Sequence, residues 1–299
     1  MLKYTHFICF FLVVSNVFGQ QIEVINPSYK VNVNDYQTVS FLKFLPLQEL
    51  MKEPNLKNLI NHVYDIEDEL FTKVLDLLNS PIEDPFVRNA LVDSYRRSIA
   101  ISQKKCLQTT DEVLFNKLIA VYEADKRILN LSEYILDWKL EFYSKTQNIE
   151  RYTITADSAM AVLVTMDSVF ISDITLSQIK YMKDRSPIPF ELNETMLFKS
   201  IYRTMKNSFG TKLMVCAGFY YDWIDEPAKL QGAIRWLDKS YWALQLPDPI
   251  FEKSLLLCKL GDKKNAELTF QLAKKSSDDA TTNKYQQKMN DCKLKFNLR

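Results

Sequence analysis

Glycine is nearly missing from this 299-residue chain: there are five, where average usage of about 7% would supply roughly twenty. One lies in the first nineteen residues, and the other four (Gly210, Gly218, Gly232 and Gly261) all follow residue 209. Sites that cradle phosphates or dinucleotides need clustered glycines, because the backbone must approach the ligand and adopt positive φ. No such cluster occurs, which excludes nucleotide-binding loops of that kind. The sequence also lacks Cys-x-x-Cys, and with it a thioredoxin-type redox pair or a zinc knuckle. It has no His-Glu-x-x-His and no Gly-x-Ser-x-Gly elbow. Past residue 19 the only histidine is His62, so a zinc site built on two histidines is excluded. His62 is read as an ordinary helix-surface residue.

What is present is ordinary globular material, 47% hydrophobic and 25% charged, enough for a sizeable core in one large domain or two. Residues 1–19 combine Lys3, an apolar run from Phe7 to Val14, and small residues before Gln20. This pattern is read as a secretory signal peptide, since eight apolar residues are too few to span a hydrocarbon layer of about 30 Å as a helix. No later stretch approaches the ~18 apolar residues of a spanning helix. The expected location is therefore extracytoplasmic, periplasmic or secreted, with no integral membrane segment after cleavage.

Removing Lys3 leaves 37 positive against 37 negative groups, so no global field draws the chain to nucleic acid. The balance is uneven, because residues 253–299 carry eleven Lys or Arg against five Asp or Glu. This surplus reads as solvated helix faces, or as a basic surface for an acidic partner. The acidic run Asp65, Glu67, Asp68, Glu69 reads likewise as a solvated helix face, lacking the order of a calcium loop. The four remaining cysteines, Cys106, Cys216, Cys258 and Cys292, are widely spaced and expected as mostly buried free thiols.

Helical periodicity dominates. Apolar residues from Leu56 to Leu77 recur at steps of one, three or four, predicting one helix from Asn55 to Asn79. Ser80-Pro81-Ile82-Glu83 carries the signature of a helix start running towards Lys105. Thr109-x-x-Glu112 opens a stretch to about Phe142 that reads as one long helix or two nearly continuous ones, with Glu123 and Arg127 spaced to pair. Residues 22–34 alternate, and 152–175 are rich in β-branched residues, so a small β ribbon between them is a further expectation. A helix over Asp157 to Phe170 is the favoured reading of the second segment. Arg185-Ser186-Pro187-Ile188-Pro189 reads as a linker.

Past Gly210 the texture changes. Pro247 to Ala280 spans 34 residues, the period of a tetratricopeptide unit, with Ser254 and Leu257 in a first helix, Lys259-Leu260-Gly261-Asp262 at the turn, and Ala266, Phe270 and Ala273 in a second. A looser copy precedes it: Ala233, Leu237 and Ser240 match the second helix, and Gly218 and Tyr221 match Ser254 and Leu257. The aromatic cluster Tyr220, Tyr221, Trp223, Trp236, Tyr241 and Trp242 falls in this copy, as packing against the N-terminal helices or as a groove for a peptide or glycan. If the last helix continues the repeat in register, Cys258 and Cys292, 34 residues apart, occupy equivalent positions too distant to bridge.

These positions resemble the tetratricopeptide repeat. The segment from Lys212 to Ser276 is also similar to the C-terminal helical part of extracytoplasmic thioredoxin-like proteins of Bacteroidetes, without their Cys-x-x-Cys domain. The resemblance implies a concave surface, lined by the first helices of successive units, that binds a peptide or a partner helix. Phe251, Glu252, Leu255 and Lys259 would face into it, unless Phe251 and Leu255 are covered by residues 34–205.

The sequence therefore predicts an all-α bundle or solenoid with a signal peptide (1–19), an N-terminal helical region (20–205), and tetratricopeptide-like hairpins with a capping helix (206–299). It reads as a non-catalytic interaction module for a protein or peptide partner, needing no cofactor or metal. The alternative is an accessory or diverged relative of a thioredoxin-type system.

Overall fold

The apolar spacing that marks helices in the sequence becomes helix in three dimensions. The computed structural model describes residues 33–125, 131–185 and 194–296, and among these it is all-α, with fourteen helices and no strand. The expected leader, most of the alternating segment 22–34, Arg127 and the prolines of the expected linker lie outside the described residues. The other half of the expected ribbon, 152–175, lies in two helices broken at Met166 and Asp167. Tyr152, Ala156, Ala159, Met160 and Leu163 make one buried stripe, and burial at helical spacing outweighs the β preference of the valines between them.

The chain divides into two compact units, with the division between Asn148 and Ile149. The division expected near residue 205 falls instead in the middle of an unbroken thirty-residue helix.

The first unit contains α1 (Val33–Phe44), α2 (Leu47–Leu50), α3 (Asn55–His62), α4 (Phe71–Asn79), α5 (Pro85–Thr109), α6 (Glu112–Ala124) and α7 (Leu131–Lys145). Helix α5 is central, packing against α3, α4 and α6. The single helix expected over 55–79 is two, because Arg97 on α5 donates to the carbonyls of Ile60 and Val63 and so ends α3. The following residues fold into an acidic loop. The Asp68 carboxylate accepts from the amides of Tyr64 and Asp65, and Asp65 accepts from Glu67 N. Such local bonds compete with helix wherever Asp is dense.

The expected helix start at Ser80 is displaced for a similar reason. Ser80 uses its hydroxyl on the Leu77 carbonyl (2.6 Å), closing α4, and Asp84 caps α5 by accepting from Phe86 N and Val87 N, with Pro85 first in the helix. Thr109 likewise bonds back to Lys105 O and leaves the capping of α6 to Asp111. The stretch up to Phe142 is thus two separate helices, α6 and α7.

The second unit contains α8 (Ile149–Thr165), α9 (Ser168–Arg185), α10 (Glu194–Trp223), α11 (Pro227–Leu244), α12 (Asp248–Lys259), α13 (Lys263–Lys274) and α14 (Asp279–Lys295). The helix expected over 157–170 breaks at Met166, because Asp167 accepts from Phe170 N (2.8 Å) and starts α9. Helices α8 and α9 meet at 94°, and no single helix among the described residues is long and apolar enough to cross a membrane.

From α10 onward, helices joined by short turns pack on their chain neighbours: α10 on α11, α11 on α12, and α12 on α13, with α12 also touching α10 and α14. Ala233, Leu237 and Ser240 on α11 are buried, as are Ala266, Phe270 and Ala273 on α13. On α10, Ala217 and Tyr220 are buried, and Gly218 and Tyr221 are half-buried.

Two glycines have structural work. Gly261 adopts φ +82° after α12, with Gly261 N bonded to Cys258 O and Asp262 N to Leu257 O (both 3.0 Å), a Schellman stop. Gly210 lets α10 approach α11: an added Cβ would lie 2.6 Å from Leu244 Cγ, and Ser240 donates to Gly210 O (2.7 Å). Gly218, expected at a helix contact, faces open space.

Candidate functional site

The residues expected to line a binding groove all project from α12, and the chain's own neighbouring helices cover them. Phe251 and Leu255 are fully buried. The Phe251 ring stacks on Tyr285 of α14 at 4.6 Å and meets Phe270 of α13 edge-on at 5.0 Å. Glu252 accepts from Lys288 of α14 at 3.2 Å. Lys259, its side chain 3% exposed, donates to the Tyr221 carbonyl at 2.7 Å in the last turn of α10 and pairs with Asp225 at 2.9 Å. A lysine there completes carbonyls that the end of α10 leaves unbonded. The four residues are brought together as one helix face, and α14 is the helix that lies along it.

The order of contacts gives the direction. Phe251 meets Tyr285, Glu252 meets Lys288, and Leu255 O accepts from Cys292 Sγ at 3.8 Å. Both numbers rise together, so α12 and α14 run parallel.

Below Leu255 the two helices make Cys258 and Cys292 neighbours. Both are free and buried, as expected from the sequence. Adjacent helix axes lie about 8–10 Å apart with Cα atoms about 2.3 Å off each axis, so equivalent residues on facing sides meet. The Cys258 thiol and the Tyr221 hydroxyl neighbour Cys292, and Lys259 and Lys295 add positive charge. Together they hold the Cys292 thiol below the usual cysteine range, while Cys258 is pushed up. The arrangement is that of a poised thiol beside a second thiol. The other two cysteines are engaged elsewhere: Cys106 donates to Asp111 O at 3.4 Å, and Cys216 accepts from the Tyr152 hydroxyl at 3.5 Å.

Of the aromatic cluster, Tyr220 and Trp236 are core, while Tyr241 is exposed. Tyr220 is buried against Trp236 at 4.7 Å and bonds Asp157 of α8 at 2.5 Å, and Trp223 meets Tyr152 edge-on at 5.5 Å. Trp242 is flanked by Lys206 and Lys239, whose Nζ atoms lie 4.6 and 4.3 Å from its ring.

Shallow clefts occur in both units among the described residues. One of about 360 Å³ lies between α8 and α11, with Asp157, Lys229 and Arg235 on its walls. The other, about 550 Å³, lies between α5 and α7, with Trp138 and Glu141 among its walls. Burial, reinforced by Asp137, raises the Glu141 pKa.

The acidic run is a loop, not a helix face, and two lysines clamp it. Lys105 and Lys117 each reach Glu67 at 2.7 Å, holding its carboxyl well below the usual range, at about 2. His62 bonds Asn58 O at 2.7 Å near the end of α3. Among the described residues no cluster of His, Cys, Asp and Glu is placed to hold a metal ion.

Tyr285 and the Cys258–Cys292 pair are the residues that sequence reasoning did not assemble. Their signal was the 34-residue spacing shared by Phe251–Tyr285 and Cys258–Cys292. Compared with known proteins, the chain matches no family model, no curated protein and no solved structure.

Proposed function

We propose that this chain is an exported, non-catalytic interaction module that binds a partner protein or peptide through a tetratricopeptide-like surface centred on α12. One observation carries the reading: the α12 face already holds a helix, α14, by an aromatic stack on Phe251 and an ion pair to Glu252. That is helix-in-groove recognition, in which apolar anchors supply binding and flanking charges fix register. A partner with the pattern of α14, an aromatic followed three residues later by a lysine, would compete for the face.

Alanine at Phe251 and Leu255 would test packing more than binding, because both are core. The informative change is on α14. In the full chain, Tyr285→Ala with Lys288→Ala loosens the resident helix, and a fluorescent synthetic peptide of residues 279–295 probes the vacated face. The expected result is saturable peptide binding and recovery of a partner that excess peptide displaces. A loosened chain that binds no peptide, or whose captured protein ignores the peptide, would overturn the proposal.

A second reading, an accessory or diverged relative of a thioredoxin-type system, is favoured by the adjacency of Cys258 and Cys292. An oxidoreductase partner would then act on that pair.

A further inference from the structure

We propose that Cys258 and Cys292 form a reversible disulfide that locks α14 onto the α12 face. The inference goes beyond both readings above, since the bond forms whatever partner the face takes. Its geometry rests on parallel helices in contact, with Phe251 on Tyr285 two turns before the thiols and the same 34-residue offset at both places. Cys292 Sγ lies against the Leu255 carbonyl, one turn before Cys258. Facing residues on helices about 8–10 Å apart have Cα separations that a disulfide spans. The low-lying Cys292 thiol supports the same assignment, because the thiolate is the nucleophile in exchange.

The oxidant is a small-molecule disulfide, such as oxidised glutathione. The Cys292 thiolate attacks one sulfur of that disulfide, forming a mixed disulfide and releasing one thiol. Cys258 then loses its proton and attacks the Cys292 sulfur, releasing the second thiol. Two chain thiols are oxidised and one disulfide is reduced to two thiols, with no net change in protons. Both sulfurs are buried, so exchange proceeds when α14, the last helix, lifts. Reduction reverses the lock and returns α14 to its ordinary opening equilibrium. The resulting ring closes 34 residues, long enough for a cross-link to restrict the opened state substantially.

The test refolds the full chain in glutathione buffers of graded redox ratio, so that access to the buried sulfurs is not limiting. The sample is then acid-quenched, alkylated and mapped without reduction. The expected product joins the Cys258 and Cys292 peptides, with Cys106 and Cys216 alkylated. Amide exchange over residues 279–295 should slow on the order of a hundredfold on oxidation. Cys258→Ser and Cys292→Ser chains, each still helical by circular dichroism, should show neither the link nor the slowing. The proposal is overturned if both thiols stay alkylatable at the most oxidising ratio, or if Cys258 pairs with Cys106 or Cys216. A link that leaves exchange of α14 unchanged would overturn the lock.

Discussion

The ring of Phe251 lies parallel to that of Tyr285, 4.6 Å between centroids and 11° between planes, and this stack covers the centre of the α12 face. Phe251 belongs to α12, which packs on α10, α11, α13 and α14. Tyr285 belongs to the last helix alone. Their replacements should therefore differ in reach. Phe251→Ala should cost about 3–5 kcal/mol in global stability. Tyr285→Ala should cost about 3 kcal/mol, with exchange rising first over residues 279–295. Equal loss of protection across α10 to α14 in both variants would refute this difference.

Lys259 makes its bonds to Tyr221 O and Asp225 almost out of solvent. Lys259→Met keeps the apolar stem and removes the donor, leaving a carbonyl at the end of α10 unbonded. A loss of about 1–3 kcal/mol is expected, readable in urea titration. Asp225 itself is exposed, and Asp225→Asn should leave the urea midpoint essentially unchanged.

Glu67 gives the acidic loop a pH signature. Its folded carboxyl is lowered from 4.5 to about 2, chiefly by the hydrogen bond from Lys105 and then by that from Lys117. A depressed acid contributes stability that is fully present above its unfolded pKa and is lost as pH falls through the folded value. The contribution should therefore be complete above about 4.5 and fade towards about 2. Glu67→Gln should flatten the acid limb of stability over that window. An unchanged acid limb would show that the two lysines do not act through Glu67.

Three glycines should respond differently to alanine. Gly210→Ala places a Cβ 2.6 Å from Leu244 Cγ and 2.9 Å from Ala243 Cβ, and overpacking there should cost about 1–3 kcal/mol. Gly261→Ala forces a left-handed φ of +82°, at a cost of about 1 kcal/mol. Gly218→Ala adds a methyl to open space within α10 and should stabilise by about 0.5–1 kcal/mol. Thermal melts of the three variants check the order.

By itself the sequence determined the all-α class, through apolar residues at helical spacing, and the turn at Lys259 to Asp262, through a glycine able to take positive φ. It also marked Ala266, Phe270 and Ala273 as one buried face, because helical periodicity is a local property. Helix limits at Ser80, Thr109 and Asp167 were less legible. A hydroxyl that bonds back to the preceding turn and a carboxylate that caps the next helix leave similar short-range patterns. Only the tertiary structure decided what lies over α12. The contacts Phe251–Tyr285 and Glu252–Lys288 join helices separated by a turn and a third helix. Their meeting depends on α14 packing parallel to α12, which no spacing along one helix specifies. The same packing turned Phe251, Glu252, Leu255 and Lys259 from an expected open groove into a covered one, because apolar and charged groups matched to a neighbouring helix are buried by it.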